Sequence, residues 1–566
     1  MTEALAVEGL LAPFTDAGLF EPADIHVAQR LTVLSGEHDE RVTLAVALLV
    51  RALRGGSVCV RLAELPAQVG LAGLPWPDTG DWMAAIRASP LVSAAVLRPC
   101  GDLLYLDRYW REEEQVCRDL LALLASPPTP QMPALQRLFP NGYHEQREAA
   151  TIALSQPVTV LTGGPGTGKT TTVARVLALI AEQAELSGSP RPRIALAAPT
   201  GKAAARLGQA VAHELARLDA ADRARLGELA AVTLHRLLGH RPGSSSRFSH
   251  DRTNRLPHDV IVIDETSMVS LTMMARLLEA LRPGTRLILV GDADQLASVQ
   301  AGAVLADLVD GFSAREGVQV ARLRTPHRFG TAIGALAEAI RAGDADAAVG
   351  VLRSGDEHLD FIDDADPAAR LRPILLPHAL RLWQAALLGT VDDALAVLEE
   401  HRLLCAHRDG PFGVRHWNRQ VQLWLSEETG LPPWSQWYAG RPLLVTANDY
   451  RLRVYNGDTG VVVAGPDGLR AVIAGTGGPL DLATSRLADI ETMHAMTIHK
   501  SQGSQVDEVS VLLPSPDSPL LTRELFYTAV TRATTTVRVV GSEASVRAAI
   551  ERRAQRASGL AQRLRD

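Results

Sequence analysis

One short stretch constrains the fold more than any other. The run Val158 to Thr162 has the composition of a buried strand and leads into Gly163-Gly164-Pro165-Gly166-Thr167-Gly168-Lys169-Thr170, after which Thr171 to Ile180 is helix-forming. Strand, glycine loop and helix in that order match the phosphate-binding pattern G-x-x-x-x-G-K-[ST] in the context that gives it meaning. Glycines let successive backbone N–H groups curl round a phosphate, and the helix N-terminus adds its dipole. On this reading Gly163 to Thr171 cradle a nucleoside triphosphate, Lys169 reaches its β- and γ-phosphates, and the Thr170 hydroxyl ligates Mg²⁺. Ile194–Ala198, Val260–Ile263 and Leu287–Val290 are further continuous apolar runs separated by helical patterns. Together they predict an α/β fold with a parallel sheet covered on both faces.

Magnesium needs a carboxylate, and Asp264-Glu265 follows Val260–Ile263 at a strand end. Asp264 fits the metal role, and Glu265 is placed to orient or deprotonate an attacking water. Hydrolysis of ATP or another nucleotide follows, with positioning and charge neutralisation as the main work. It also calls for a cation on the γ-phosphate, but the chain has so many arginines that chemistry alone selects none. Lysine is the reverse case. Of 57 Lys and Arg residues only Lys169, Lys202 and Lys500 are lysine. Where arginine supplies generic charge, a remaining lysine is expected where a compact ammonium is needed.

The rest of the composition narrows the class. At 566 residues the chain has room for three or four domains, and 46% hydrophobic with 21% charged residues excludes wholesale disorder. A net charge of −7 is a whole-molecule sum that leaves room for a basic groove. The four cysteines (Cys59, Cys100, Cys117, Cys405) are too scattered for a disulfide framework or a zinc site. The longest apolar stretch, Val42 to Val50, stops at Arg51, short of the ~20 residues of a membrane span. No basic-then-apolar leader precedes it, so a soluble, intracellular protein is expected.

The domain pattern reads as follows. Residues 1–128 form a separate domain with a buried helix near Val42–Leu53, a strand at Leu103–Asp107 and a helix at Arg111–Leu124; Trp76 and Trp82 are expected to stand exposed there and suit docking to a partner. Ser126 to Pro130 is a linker by composition. A first α/β domain spans 129–320, with a polar excursion at 239–259. A second spans 321–440 and 492–566, interrupted by a small β insertion at 441–491 that carries the turn signals Asn456-Gly457 and Pro466-Asp467-Gly468. From Ala544 the chain reads as an Arg-rich amphipathic helix with a solvated face. The acidic group Asp360, Asp363, Asp364 and Asp366 reads as a solvated loop rather than a nuclease centre.

Five further segments, in order, resemble the signature of superfamily I helicases. They are Ala198 to Arg206 with Lys202 inside it, Leu289 to Leu296 with Gly-Asp292-x-x-Gln295, Arg324 to Phe329, Thr497-Ile498-His499-Lys500-Ser501-Gln502-Gly503, and Phe526 to Ala533. Asp409 to Val414, Ala447 to Tyr450 and Val454 to Asp458 make the resemblance nearest to the RecD subunits of RecBCD (exonuclease V) complexes. It covers nearly the whole chain, most strongly 146–330 and 495–535, and is loose at the N-terminus.

The resemblance implies two RecA-like P-loop motor domains with ATP and Mg²⁺ between them, a helical N-terminal domain and an SH3-like β-barrel at 441–491. It implies an ATP-dependent 5′-to-3′ DNA helicase acting on single strands and duplex ends in break repair. RecB-like and RecC-like subunits would complete a heterotrimer, and nuclease activity would lie in a partner. By position Gln146 would read adenine, Gln295 would sense the γ-phosphate, and Arg328 and Arg532 would be arginine fingers. Thr200, Lys202, Thr497, His499, Lys500 and Ser501 would meet DNA phosphates, and His235 would either touch DNA or pack in its helix. Two alternatives stand beside this: an ATP-binding scaffold subunit without translocation, and a free-standing helicase of the same superfamily.

Overall fold

The computed structural model describes residues 7–126, 133–240, 247–325, 331–364, 366–432, 434–449, 451–475 and 478–565. Its N-terminal body is mostly helical. Asp39 caps the helix Glu40–Arg54 by accepting from the Arg41 N–H, and Leu44 to Leu49 are all buried, so the longest apolar run is a core helix. This helix packs on helix Pro22–Ser35 and on a small antiparallel sheet of β1 (Cys59–Arg61), β2 (Leu97–Cys100) and β3 (Leu103–Leu106). The expected exposure of Trp76 and Trp82 is overturned. Trp82 is fully buried with its indole N–H donating to the Arg41 carbonyl at 2.7 Å, and half-buried Trp76 meets Phe14 edge-on at 4.8 Å. An indole brings so much apolar area that even a Pro- and Gly-rich segment folds it inward.

The first parallel sheet contains β4 (Val158–Gly163), β5 (Ile194–Ala198), β6 (Ala231–Thr233), β7 (Val260–Ile263), β8 (Arg286–Gly291) and β9 (Ala321–Leu323), in the order β6-β5-β7-β8-β4-β9. The four apolar runs of the sequence are its four central strands, buried on both faces as parallel strands are. The domain boundary expected after residue 320 needs correction, because β9 pairs with β4 and sets Ala321 opposite Leu161. A three-residue edge strand has too little periodicity to announce itself.

The second body holds β10 (Leu359–Ile362) and β11 (His401–Cys405), then an inserted run of β12 (Pro442–Val445), β13 (Thr459–Gly465), β14 (Gly468–Gly475), β15 (Gly478–Ala483) and β16 (Ile490–Thr492), then β17 (Ala495–Thr497), β18 (Val506–Leu512) and β19 (Ala533–Val540). Its parallel sheet runs β10-β19-β18-β11-β17, and the inserted strands form an antiparallel sheet β15-β14-β13-β12-β16. Alternation divides that sheet's faces: Val461 and Val463 join the core of the second body, while Val462 joins Leu443, Val445 and Ile473 in a small core of its own. Of the acidic group, Asp366 caps helix Pro367–Leu387 by accepting from the N–H groups of Ala368 and Ala369. Among the described residues no cluster of His, Cys, Asp or Glu could hold a metal ion.

The C-terminus also departs from expectation. Helix Glu543–Glu551 ends at Arg552, and an extended segment crosses to the other bodies before helix Leu560–Arg565. Ala554 N–H still donates to Glu524 of the second body, whereas the Val58 N–H of the N-terminal body donates to the Ala557 carbonyl. Ser558 Oγ and Gly559 N–H donate to buried Glu113 at 2.8 and 3.0 Å, and Leu560 and Leu564 bury against helix Val304–Ala314. The tail is therefore a strap, not a solvated helix; two leucines four residues apart find an apolar groove. Of the excursion, residues 241–246 lie outside the described residues; the rest returns through a bridge between His240 and Phe248. Of the linker, only Ser126 is described. No described helix is long and apolar enough to cross a membrane.

Candidate nucleotide cleft and nucleic-acid contacts

Three neighbouring strands of the first sheet deliver the site. β8 lies between β7 and β4, so the chain leaving their carboxyl ends brings Asp264, Asp292 and the glycine loop together. Ligands of open parallel sheets bind at these ends. In the loop Gly166 and Gly168 have φ of 77° and 85°, a left-handed backbone that the pattern's glycines supply. Lys169 begins helix Lys169–Leu186, and its Nζ donates to the carbonyls of Gly163 and Gly164 at 2.6 and 2.8 Å. Gln146, buried on helix His144–Ser155, points its amide at the Thr167 carbonyl from behind the loop.

Burial, with the neighbouring Glu265 adding to it, pushes the Asp264 carboxyl up to about 6, while Lys169 and Arg206 pull the other way. Asp264 Oδ1 accepts from the Glu265 N–H at 2.8 Å, and Glu265 itself sits at φ 49°. Such a backbone costs a non-glycine residue on the order of 1–3 kcal/mol and marks functional turns. Asp292 is buried and its carboxyl is pushed up; Gln295 Nε2 donates to it at 2.9 Å, and the Tyr527 hydroxyl of the second body bonds to it as well.

The second body closes the cleft. Arg532 is buried, with Nε donating to the Thr528 carbonyl at 3.0 Å and Nη1 to the Ser504 carbonyl at 3.2 Å. Burial lowers its pKa, and the charge of Glu265 opposes that shift. Arg206 reaches from the first body to the Gly503 carbonyl at 2.9 Å and to Gln505 at 2.8 Å. The result is a cleft of about 450 Å³ lined by Lys169, Thr170, Thr171, Asp264, Glu265, Gln295 and Arg532, among others. Leu296, next to Gln295, is held by the second body at both polar atoms: its N–H donates to Thr528 Oγ1 at 2.9 Å, and its carbonyl accepts from Gln502 Nε2 at 2.7 Å. Arg328 lies outside the described residues. Arg206, Asp292, Gln502, Tyr527 and Thr528 all sit inside motifs visible in the sequence, but their partners across the cleft are set by the fold.

The residues expected at DNA divide into two groups. Thr200 caps helix Gly201–Arg217, and Lys202 in its first turn lies 3.9 Å from Glu399 with its pKa pushed down by burial. Lys500 Nζ donates to Glu491 at 2.8 Å, and Thr497 caps the short turn Ile498–Ser501. Burial lowers the pKa of His499. Ser501 turns inward instead, buried and donating to the Ile498 carbonyl at 2.7 Å. His235 packs beside the rings of His240 and Phe248, and burial lowers its pKa, which favours the neutral imidazole.

Comparison with known proteins supplies the lineage. The model of the AAA domain matches residues 146–301, that of the UvrD-like helicase C-terminal domain 492–540, and that of the RecBCD enzyme subunit RecD N-terminal domain 16–99. The RecBCD enzyme subunit RecD of Mycobacterium tuberculosis (strain ATCC 25618 / H37Rv) is 72% identical over 563 residues, which is 99% of this chain and 98% of that one. The chain belongs to the RecD family. Another RecD relative, from Mycolicibacterium smegmatis, is 68% identical across 97% of this chain and 98% of its own. The ATP-dependent RecD2 DNA helicase of Deinococcus radiodurans is 30% identical across 84% of this chain and 61% of its own. A solved structure of two coordinating Pif1 helicases at forked double-stranded DNA overlays with a TM-score of 0.41 at 18% identity, covering 70% of this chain and 91% of that one. On this chain the RecD N-terminal match falls on the helical body, the AAA match on β4 to β8, and the UvrD-like match on β17 to β19.

Proposed function

We propose that this chain is the ATP-hydrolysing 5′-to-3′ DNA helicase subunit of a RecBCD-type helicase–nuclease. It would work with RecB-like and RecC-like partners on duplex ends in the cytoplasm, in break repair and recombination. The observation that carries the reading is the shared cleft: the first body supplies Lys169, Asp264, Glu265 and Gln295, and the second supplies Arg532. In this reading the loop N–H groups and Lys169 hold the β- and γ-phosphates, and Gln146 stands where adenine would be read. Thr170 and Asp264 are an oxygen donor pair suited to Mg²⁺, which supplies charge neutralisation between the phosphates. Glu265, turned out of line by its backbone, orients the attacking water and takes its proton. Arg532 neutralises charge developing on the γ-phosphate, and only when the two bodies meet.

Gln295 and Leu296 connect that event to movement, because the same segment faces the nucleotide through Gln295 and the second body through Leu296. Thr200 and Lys202 on one body, and Thr497, His499 and Lys500 on the other, then grip the phosphate backbone alternately, without reading sequence. The antiparallel insert, read as an SH3-like barrel, flanks the path: its Tyr455 packs over Gly201. ATP hydrolysis by the full chain, with and without single-stranded DNA and beside Lys169→Gln, tests the reading, together with unwinding of 5′- and 3′-tailed duplexes. DNA-stimulated hydrolysis lost in Lys169→Gln, with preference for the 5′ tail, is expected. ATP binding with no stimulation, either alone or in the co-purified complex, would sink it.

A further inference from the structure

A second and larger hollow, about 740 Å³, lies on the second body between helix Val414–Thr429 and strands β16 and β17. Arg408, Arg415, Arg419 and Lys500 line it, against Glu491 as the one acidic lining residue among the described residues. Glu491 pairs with Arg408 and Lys500 at 2.8 Å each, and Arg415 pairs with Asp409 at 2.7 Å at the rim. Arg419 is exposed and makes no ion pair among the described residues. At the edge stands Trp434, 84% exposed, whereas the other seven tryptophans are buried or half-buried. Its backbone is pinned: the Ser435 N–H donates to the Pro432 carbonyl at 3.0 Å, and Gln422 Nε2 donates to the Ser435 carbonyl at 3.2 Å. The ring itself stands out to solvent.

An aromatic face beside a row of cations is the composition of a surface that takes a single strand, bases stacked and phosphates paired. A protein-docking core would instead be depleted of charge. The groove is continuous with the proposed phosphate contacts, since Thr497 and Lys500 line it too. We propose that Trp434 stacks a base of the single-stranded nucleic acid at the outer end of its path over the second body, with Arg419 on a neighbouring phosphate. This rests on the helicase reading and extends it to a positioning site outside the motor motifs. Every base has a π-face, so the contact would hold the strand in register without selecting sequence.

The test measures binding of a labelled oligo-dT strand by the full chain carrying Trp434→Ala, Trp434→Phe or Arg419→Ala, with thermal melting to verify that each variant is folded. Trp434→Ala is expected to weaken binding about five- to a hundredfold with an unchanged salt slope, and Trp434→Phe to recover most of the loss. Arg419→Ala is expected to reduce the salt slope by about one. Binding by Trp434→Ala within twofold of the parent overturns this inference alone, and weakened co-purification with partner subunits would then mark the groove as a protein interface. If the parent chain binds no single strand, alone or in its complex, the helicase reading itself fails.

Discussion

Thr528→Val isolates one hydrogen bond between the two motor bodies. The Thr528 hydroxyl accepts from the Leu296 N–H at 2.9 Å, and both residues are buried. Valine keeps the shape of threonine, so packing is preserved and the Leu296 N–H loses its acceptor. A buried donor left unpaired costs about 1–3 kcal/mol. When the bodies separate, water reaches that N–H, so the cost falls on the closed arrangement alone. The ratio of closed to open chains should drop about 5- to 150-fold. Where hydrolysis requires closure and the closed form is the minority, DNA-stimulated kcat/KM falls by the same factor. Gln502→Leu removes the bond to the Leu296 carbonyl at 2.7 Å, and because both act on one residue the double variant should be non-additive. Steady-state ATP hydrolysis over a range of single-strand concentrations is the assay. A Thr528→Val chain with an unchanged melting temperature and activity within twofold of the parent would refute the coupling argument.

Arg532→Ala should lower kcat on the order of a thousandfold while nucleotide affinity measured by fluorescence changes less than about tenfold; Arg532→Lys should not restore it, because one ammonium cannot replace a guanidinium fork. Lys500→Ala should weaken single-strand binding and flatten its salt dependence by about one unit of slope in a titration from low to moderate salt. Burial, with Glu113 and Asp310 adding to it, pushes the Asp307 carboxyl up to about 8. The unfolded chain releases that proton near pH 4, so between about pH 4 and 8 the folded state holds more protons and stability falls as pH rises. Asp307→Asn should flatten this slope and raise the melting temperature at pH 8 relative to the parent; equal slopes in the two proteins would dismiss it.

The central strands were legible because parallel strands hidden on both faces must be apolar throughout, and the phosphate loop because its chemistry fits within one strand, turn and helix. What escaped depends on distant neighbours. Trp82 follows the polar and turn-forming run Pro77 to Asp81, but its ring lies against a helix some forty residues away. Leu560 and Leu564 look like one face of a surface helix until the groove along Val304–Ala314 is known. Thr528 carries a signal in the sequence itself: a hydroxyl inside the apolar stretch Leu525 to Val530 needs a partner. That the partner is Leu296 could come only from the folded structure.

The returning tail has a mechanical corollary. Thr325 is still held by Glu145 of the first motor body, and helix Thr331–Ala342 belongs to the second. The tail beyond Ala554 returns to dock on the N-terminal body and on helix Val304–Ala314, so the two motor bodies are joined by one passage of chain and by one docked tail. A tail fastened at its far end limits how far the second body can part from the first, whatever the nucleotide cleft does. The stride along a nucleic acid would then be bounded by the slack in the extended segment between Arg552 and Leu560 as well as by closure of the cleft.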